Sequence, residues 1–185
     1  MIELILLTLL QASEMNPENP ILPKFAFSQL QASQFVTVND GVMGGRSSSE
    51  LNVSDDVARY QGTVSLENNG GFASVRVIWP FDFNDFTDEP TLAVLKVKGD
   101  GQTYQFRLRT SQGFDGAAYS YSFNTILDQV QTIYIPISDF VPTFRGRTLR
   151  NMPILKFSDV QQMGVLVADS QVGKFSIDLI DLTLN

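Results

Sequence analysis

The chain has 185 residues, room for one domain and an appendage but not for a second catalytic domain. With 43% hydrophobic and 18% charged residues it can bury a sizeable core, and a net charge of -7 works against sequence-independent attraction to phosphate backbones or anionic lipid. The absence of Cys and His excludes disulfides, thiolate nucleophiles, the usual zinc sites and every triad that needs an imidazole, leaving carboxylate, Tyr or Lys chemistry or none.

Residues 1–23 read as an N-terminal extension and linker. Ile2 to Leu10 is apolar apart from Glu3 and Thr8, far short of the roughly 20 residues of a membrane-spanning helix. No Lys or Arg precedes Lys24, so neither a secretory n-region nor an Arg-rich transit peptide is expected. The reading is an uncleaved extension whose apolar stretch forms a short helix docked on the domain, with a membrane or partner anchor as the alternative. Met15 to Pro20 and Pro23 form the linker, and a single domain occupies 24–185.

From Lys24 onward the hydrophobic period is two. In Gln102 to Thr110, Tyr104, Phe106 and Leu108 alternate with Gln105, Arg107 and Arg109, the pattern of a strand with one buried face. Ten such runs are predicted: Phe35–Val38, Ser47–Val53, Ala58–Leu66, Phe72–Trp79, Thr91–Lys98, Gln102–Thr110, Ala118–Asn124, Gln131–Ile137, Met163–Ala168 and Lys174–Leu184, separated by Gly, Asn, Asp or Pro signals. Only Phe25–Ala32 and Ser138–Phe140 look like single helical turns. Ten short strands with almost no helical period predict an all-β antiparallel sandwich or barrel, and no fixed repeat points to a propeller or solenoid. Val97 to Gln102 reads as a hairpin, since Gly99, Asp100 and Gly101 accommodate the positive φ of a primed turn.

Three glycine-rich stretches stand between these strands: Asn39, Asp40, Gly41, Met43, Gly44 and Gly45 in the first, Asn68, Asn69, Gly70 and Gly71 in the second, and the Gly99–Gly101 turn. None is a phosphate cradle, because Arg46-Ser-Ser-Ser49 leads into a strand instead of a Lys-Ser/Thr and a helix. Each by itself is turn chemistry. In order, however, Asn39-Asp-Gly-Val-Met-Gly-Gly-Arg-Ser47, Tyr60-Gln-Gly-Thr-Val-Ser-Leu-Glu-Asn-Asn-Gly-Gly-Phe-Ala-Ser-Val-Arg76, Lys98-Gly-Asp-Gly-Gln-Thr-Tyr104, Ile135-Pro-Ile137 with Phe140, Arg145-Gly146, Met163-Gly-Val165 and Gly173-Lys-Phe175 resemble the complex I intermediate-associated protein 30 family over about Phe35 to Leu184. The resemblance implies a jelly-roll sandwich similar to galactose-binding and carbohydrate-binding modules. It also implies a non-enzymatic assembly factor whose partners are protein subunits of a membrane-associated NADH dehydrogenase-type complex. The absence of a transit peptide sets the chain apart from mitochondrial members and gives it a bacterial or cyanobacterial look, for which a photosynthetic complex is a further client.

Read from the residues alone, an enzyme has little to stand on. Glu occurs only at 3, 14, 18, 50, 67 and 89, and pairing Glu50 with Glu67 as glycosidase carboxylates would require a proximity that nothing local signals. Asp82 to Glu89 concentrates oxygen ligands but lacks the Gly and Glu spacing of an EF-hand, so a solvated acidic loop is expected, with no metal and no cofactor. The feature that stands out is a set of arginines: Arg107 and Arg109 share a strand side, and Arg76 is out of phase with Val75 and Val77. On neighbouring strands, and with Tyr119 and Tyr121 nearby, they would form a binding face for a partner carboxylate or a sugar. Internal ties to Asp residues are the competing structural reading. Arg145, Arg147 and Arg150 make a second basic cluster in a loop. The expectation is therefore a cytoplasmic binding scaffold, at most peripheral to a membrane, with a glycan-binding module as the alternative and nucleic acid not expected as a partner.

Overall fold

The computed structural model describes residues 22–185 apart from Thr87, Phe114, Asp169 and Ser170; the predicted N-terminal helix lies outside the described residues. Among the described residues thirteen strands run in chain order: β1 (Lys24–Ala26), β2 (Phe35–Asn39), β3 (Ser48–Val53), β4 (Ala58–Val64), β5 (Ala73–Ile78), β6 (Leu92–Lys98), β7 (Thr103–Arg109), β8 (Ala118–Asn124), β9 (Val130–Pro136), β10 (Val141–Phe144), β11 (Arg147–Thr148), β12 (Gln162–Val167) and β13 (Gly173–Leu184). Short 3-10 turns interrupt them, and the described residues contain no α-helix. All ten predicted runs are strands. The three strands the period did not signal are short, and β10 carries Pro142, which cannot donate to a ladder and suits a strand near a sheet edge. The turn expected over Phe25–Ala32 is instead β1 followed by two 3-10 turns, Phe27–Gln29 and Ala32–Gln34.

The strands form two antiparallel sheets. The first has the order β3-β4-β13-β6-β9, with β1 pairing along the second half of β13; the second has the order β11-β10-β8-β7-β12-β5-β2. Between them lies one core in which alternate residues of both sheets meet, including Tyr60, Leu95, Ile177 and Leu182 from the first and Val75, Tyr104, Phe106, Leu108 and Met163 from the second. The long strand β13 serves β4 with its first half and β1 with its second, with a register irregularity between Leu179 and Asp181.

The Gly99–Gly101 turn is not a hairpin. Strand β6 pairs with β13 and β9 in the first sheet, whereas β7 pairs with β12 and β8 in the second, so the turn carries the chain across the sandwich. Gly101 has φ +92, the positive angle expected of a primed turn, but a corner between sheets needs the same freedom. The other two glycine stretches do the same work: one joins β2 to β3 and the other β4 to β5, each passing from one sheet to the other.

Candidate functional site

The first two crossings meet on one buried carboxylate. Asp40 is fully buried and accepts hydrogen bonds from Ser47 N at 2.9 Å, Gly71 N at 2.6 Å, Phe72 N at 3.3 Å and the Ser47 hydroxyl. Burial alone would raise its pKa, but these donors outweigh burial and hold the carboxyl below its ordinary value. The neighbouring glycines follow from this contact: a Cβ on Gly45 would be driven into the Asp40 carboxylate, and one on Gly70 would meet the same group from the other loop. Gly44 and Gly71 contribute positive φ instead. Asn39 Oδ1 accepts from Ser49 Oγ at 2.6 Å, and Asn68, itself at φ 56, donates to Gly44 O at 3.1 Å. Gly41 borders open space; the side chains of Met43 and Asn69 lie outside the described residues.

A second aspartate organises the third crossing. Asp100 accepts from Ser176 N at 2.8 Å, Tyr104 Oη at 3.0 Å and Gln102 N at 3.1 Å, tying the corner to β13 and β7. Thr125 closes it by donating to Gln102 O and accepting from Gly101 N, and a Cβ on Gly99 would run into Thr125. The motif residues are thus positioned as corner ties, each glycine making room for a hydrogen-bonded side chain of a neighbouring segment.

The arginines occupy the outer face of the second sheet. Arg76 on β5 and Arg107 on β7 are not on adjacent strands; each stands opposite Gly164 of the intervening β12. Gly164 has no side chain to separate them, and Arg109 joins them two residues further along β7, so that all three line one small cleft with Gly164. The cleft measures about 10 Å³, roughly the room of a single water molecule. Arg107 donates through Nε to Ser120 Oγ at 3.1 Å and through Nη2 to Thr143 Oγ1 at 3.4 Å, and Arg109 Nη1 donates to the backbone oxygens of Gly116 and Ala117. These partners are neutral. Burial and the adjacent Arg76 and Arg107 charges push the Arg109 guanidinium down to about 10, and burial followed by the Arg76 charge lowers Arg107; both remain cations at neutral pH. Asp115, in the loop between β7 and β8, opposes the shift at Arg76 and Arg109 and receives a 2.7 Å ion pair from Arg145.

Tyr119 and Tyr121 do not share this face. They stand opposite Leu108 and Phe106 in the register and turn with them into the core, where Tyr119 Oη donates to Pro153 O at 2.7 Å and Tyr121 packs near Phe140. Their alternation with Ser120 and Ser122, in phase with Phe123, was the signal for this orientation. Arg145 and Gly146, both at positive φ, form the two-residue turn of the β10–β11 hairpin. Glu50 accepts from Gln61 Nε2 and Glu67 pairs with Arg46, so each of the two carboxylates has its own partner. Asp82 caps the turn at Asn84, and Glu89 accepts from Ser158 N. Ser120, Thr143 and Asp115 were not singled out from the sequence, and Gly164 entered only within the motif Met163-Gly-Val165, without its place between the arginines.

The model of the family described as complex I intermediate-associated protein 30 matches residues 25–179, which include all three crossings and the arginine strands. The chain belongs to this family. An uncharacterized protein of Schizosaccharomyces pombe is similar to it, 28% identical over 163 residues, covering 78% of this chain and 74% of that one. Among solved structures, the family member is similar in fold to the family 11 carbohydrate-binding module from Clostridium thermocellum in complex with a β-1,3-1,4-mixed-linked tetrasaccharide, with TM-score 0.61, 16% identity and coverage of 86% of this chain and 93% of that chain. The family 11 module of the cellulosomal cellulase Lic26A-Cel5E from the same organism gives TM-score 0.61 and 16% identity over 89% and 96% of the two chains. At this identity the likeness establishes the jelly-roll sandwich alone.

Proposed function

We propose that this protein is a non-enzymatic binding scaffold that acts as an assembly factor for a membrane-associated complex of the NADH dehydrogenase or photosynthetic type, working in the cytoplasm at the membrane surface. The family match over residues 25–179 carries the reading, since the family's description places its members with intermediates of complex I. The candidate face is compatible with it, since it carries the planar guanidinium groups of Arg76 and Arg107, which suit a partner carboxylate. No helix of the described residues is long and apolar enough to cross a membrane, so within them contact with a membrane complex would be made from its surface.

A glycan-binding role is the second reading, favoured by the carbohydrate-binding modules' shared fold and by an open cleft of about 660 Å³ on the first sheet, lined by Ser48, Glu50, Gln61, Thr63, Lys174 and Ser176 among others. It is the weaker of the two because Tyr119 and Tyr121, the rings expected beside the arginines, face the core. Affinity capture of the tagged protein from its native organism in mild detergent separates the readings. The scaffold reading expects subunits of one membrane complex in fixed proportion. Saturable binding to a glycan array, with no such subunits recovered, would replace it with the second.

A further inference from the structure

From Phe140 to Ser158 the sequence carries no Asp or Glu, although the chain holds 20 in all and has a net charge of -7. Within the same stretch lie Arg145, Arg147, Arg150 and Lys156, on the β10–β11 hairpin and the loop that follows it. Arg145 is engaged, 2.7 Å from Asp115 and with its guanidinium over the Phe144 ring. Arg147, Arg150 and Lys156 are exposed and have no ion pair or side-chain hydrogen bond among the described residues. Two further carboxylates border the stretch: Glu89, which accepts from Ser158 N at 3.0 Å, and Asp159, which follows it in sequence. The same loop holds one apolar side chain outward. Ile154 is 90% exposed, the most exposed large hydrophobic residue among those described, while its surroundings are fixed. Pro153 O accepts from Tyr119 Oη at 2.7 Å, Leu155 and Phe157 are buried in the core, and Leu149 N donates to Pro142 O at 2.9 Å. A lone exposed isoleucine is ordinary on a surface; this one is pinned outward with unpaired cations before and after it.

We propose that this loop is a contact site for an anionic lipid bilayer, with Ile154 entering the acyl boundary and Arg147, Arg150 and Lys156 lying at the level of the lipid phosphates. The proposal deepens the reading of a scaffold at the membrane surface and rests on that reading for its role. A bilayer takes up an isolated aliphatic tip without a shaped pocket. A protein partner would have to supply such a pocket for Ile154, and protein hot spots centre on Trp, Tyr and Arg. Nucleic acid would satisfy the cations but give the isoleucine no role, since bases are read by hydrogen bonds and by aromatic stacking. The overall negative charge does not oppose the contact. At physiological ionic strength charges beyond about 8 Å are screened, so the segment facing the surface decides, and each Lys or Arg near anionic headgroups is worth about fivefold in affinity.

The test uses the full chain in co-sedimentation with vesicles of equal parts phosphatidylcholine and phosphatidylglycerol, compared with vesicles of phosphatidylcholine alone. Wild type is expected to bind the anionic vesicles at least about tenfold more tightly, with affinity falling as salt rises. Arg147→Gln/Arg150→Gln/Lys156→Gln is expected to lose about tenfold or more and Ile154→Ser about fivefold. Leu127→Ser, at another exposed apolar residue, and Arg46→Gln/Lys174→Gln are expected to stay within about twofold of wild type. Because the chain has no Cys, Ile154→Cys accepts a single environment-sensitive dye. Its emission is expected to shift to the blue on anionic vesicles, and that of the same dye on Leu127→Cys is not, which separates the loop from any contact made by Ile2 to Leu10. Equal binding to both vesicle types, no shift from the Ile154→Cys dye, or undiminished binding by the folded triple variant overturns the proposal. So does tighter binding of a single-stranded oligonucleotide or of a polyglutamate peptide. If the triple variant fails to fold, the dye on Ile154→Cys decides. Recovery of complex subunits by a chain that binds no anionic vesicles would refute the lipid site and leave the scaffold reading in place; vesicle binding as predicted with no subunits recovered would remove the scaffold reading and keep the lipid site.

Discussion

At Asp40 a single carboxylate takes four hydrogen bonds from two loops, and this accounts for glycines that the sequence shows only as turn formers. The three glycines of its own loop differ in kind. Gly45 is pressed against the carboxylate, Gly44 has open space but φ +90, and Gly41 has open space and no positive φ. Alanine is therefore expected to cost most at Gly45, about 2 kcal/mol or more from overpacking, about 1 kcal/mol at Gly44 from backbone strain, and only a few tenths at Gly41 beyond the turn's own preference. Urea denaturation of the three variants checks the order; equal costs would mean the corner is loose. Asp40→Asn sets an NH2 against backbone donors and is expected to lose about 2 kcal/mol at neutral pH. Because the folded pKa lies below the unfolded value, the charge-dependent part of this stability is complete above about pH 4 and is lost as pH falls through the folded pKa. The gap between wild type and Asp40→Asn should narrow in acid, and a gap constant with pH would show that the charge contributes nothing.

At the scale of the element, β7 holds both halves of the molecule's logic. Its Phe106 side is core and its Arg107 side is the candidate face. Phe106→Ala is expected to cost about 3–5 kcal/mol. Arg107→Gln should stay within about 1 kcal/mol of wild type, since losing two hydroxyl contacts is offset by relief of a half-buried cation beside Arg76. Thermal melts decide it, and a loss as large as that of Phe106→Ala would make Arg107 a structural tie. The same element shows what the sequence made legible. Period-two alternation identified β7 and its faces because each core-facing position, Tyr104, Phe106 and Leu108, carries a large apolar residue. It could not tell that the Gly99–Gly101 turn before it was a corner, because hairpins and corners ask for the same positive φ, and only long-range pairing with β12 distinguishes them. The convergence of Arg76 with Arg107 was half legible: phase put each on an outer face, but their meeting depends on β12, about 55 residues downstream of β7 in the sequence, inserting a glycine between them. The phase of Tyr119 and Tyr121 with Phe123 was available in β8 and pointed inward.

For the whole molecule, the strands of the second sheet carry arginines and no Asp or Glu, whereas those of the first mix Lys24, Arg59, Lys96, Lys98 and Lys174 with Glu50, Asp178 and Asp181. The corners at Asp40 and Asp100 fix how the sheets sit on one another, so the second sheet presents its outer face as a rigid surface. In this family member the central claim is that the outer face of the second sheet engages a subunit of a membrane complex. Site-specific incorporation of a photo-crosslinking amino acid tests it most directly, placed at Val36 or Val141, exposed on β2 and β10 of the second sheet, and, for comparison, at Tyr134, which is 63% exposed on β9 of the first sheet. After irradiation in the native organism, Val36 and Val141 are predicted to yield adducts with the same complex subunit, and Tyr134 none. Adducts to such subunits at Tyr134 alone, or no adducts with any complex subunit at all three positions, would contradict the account.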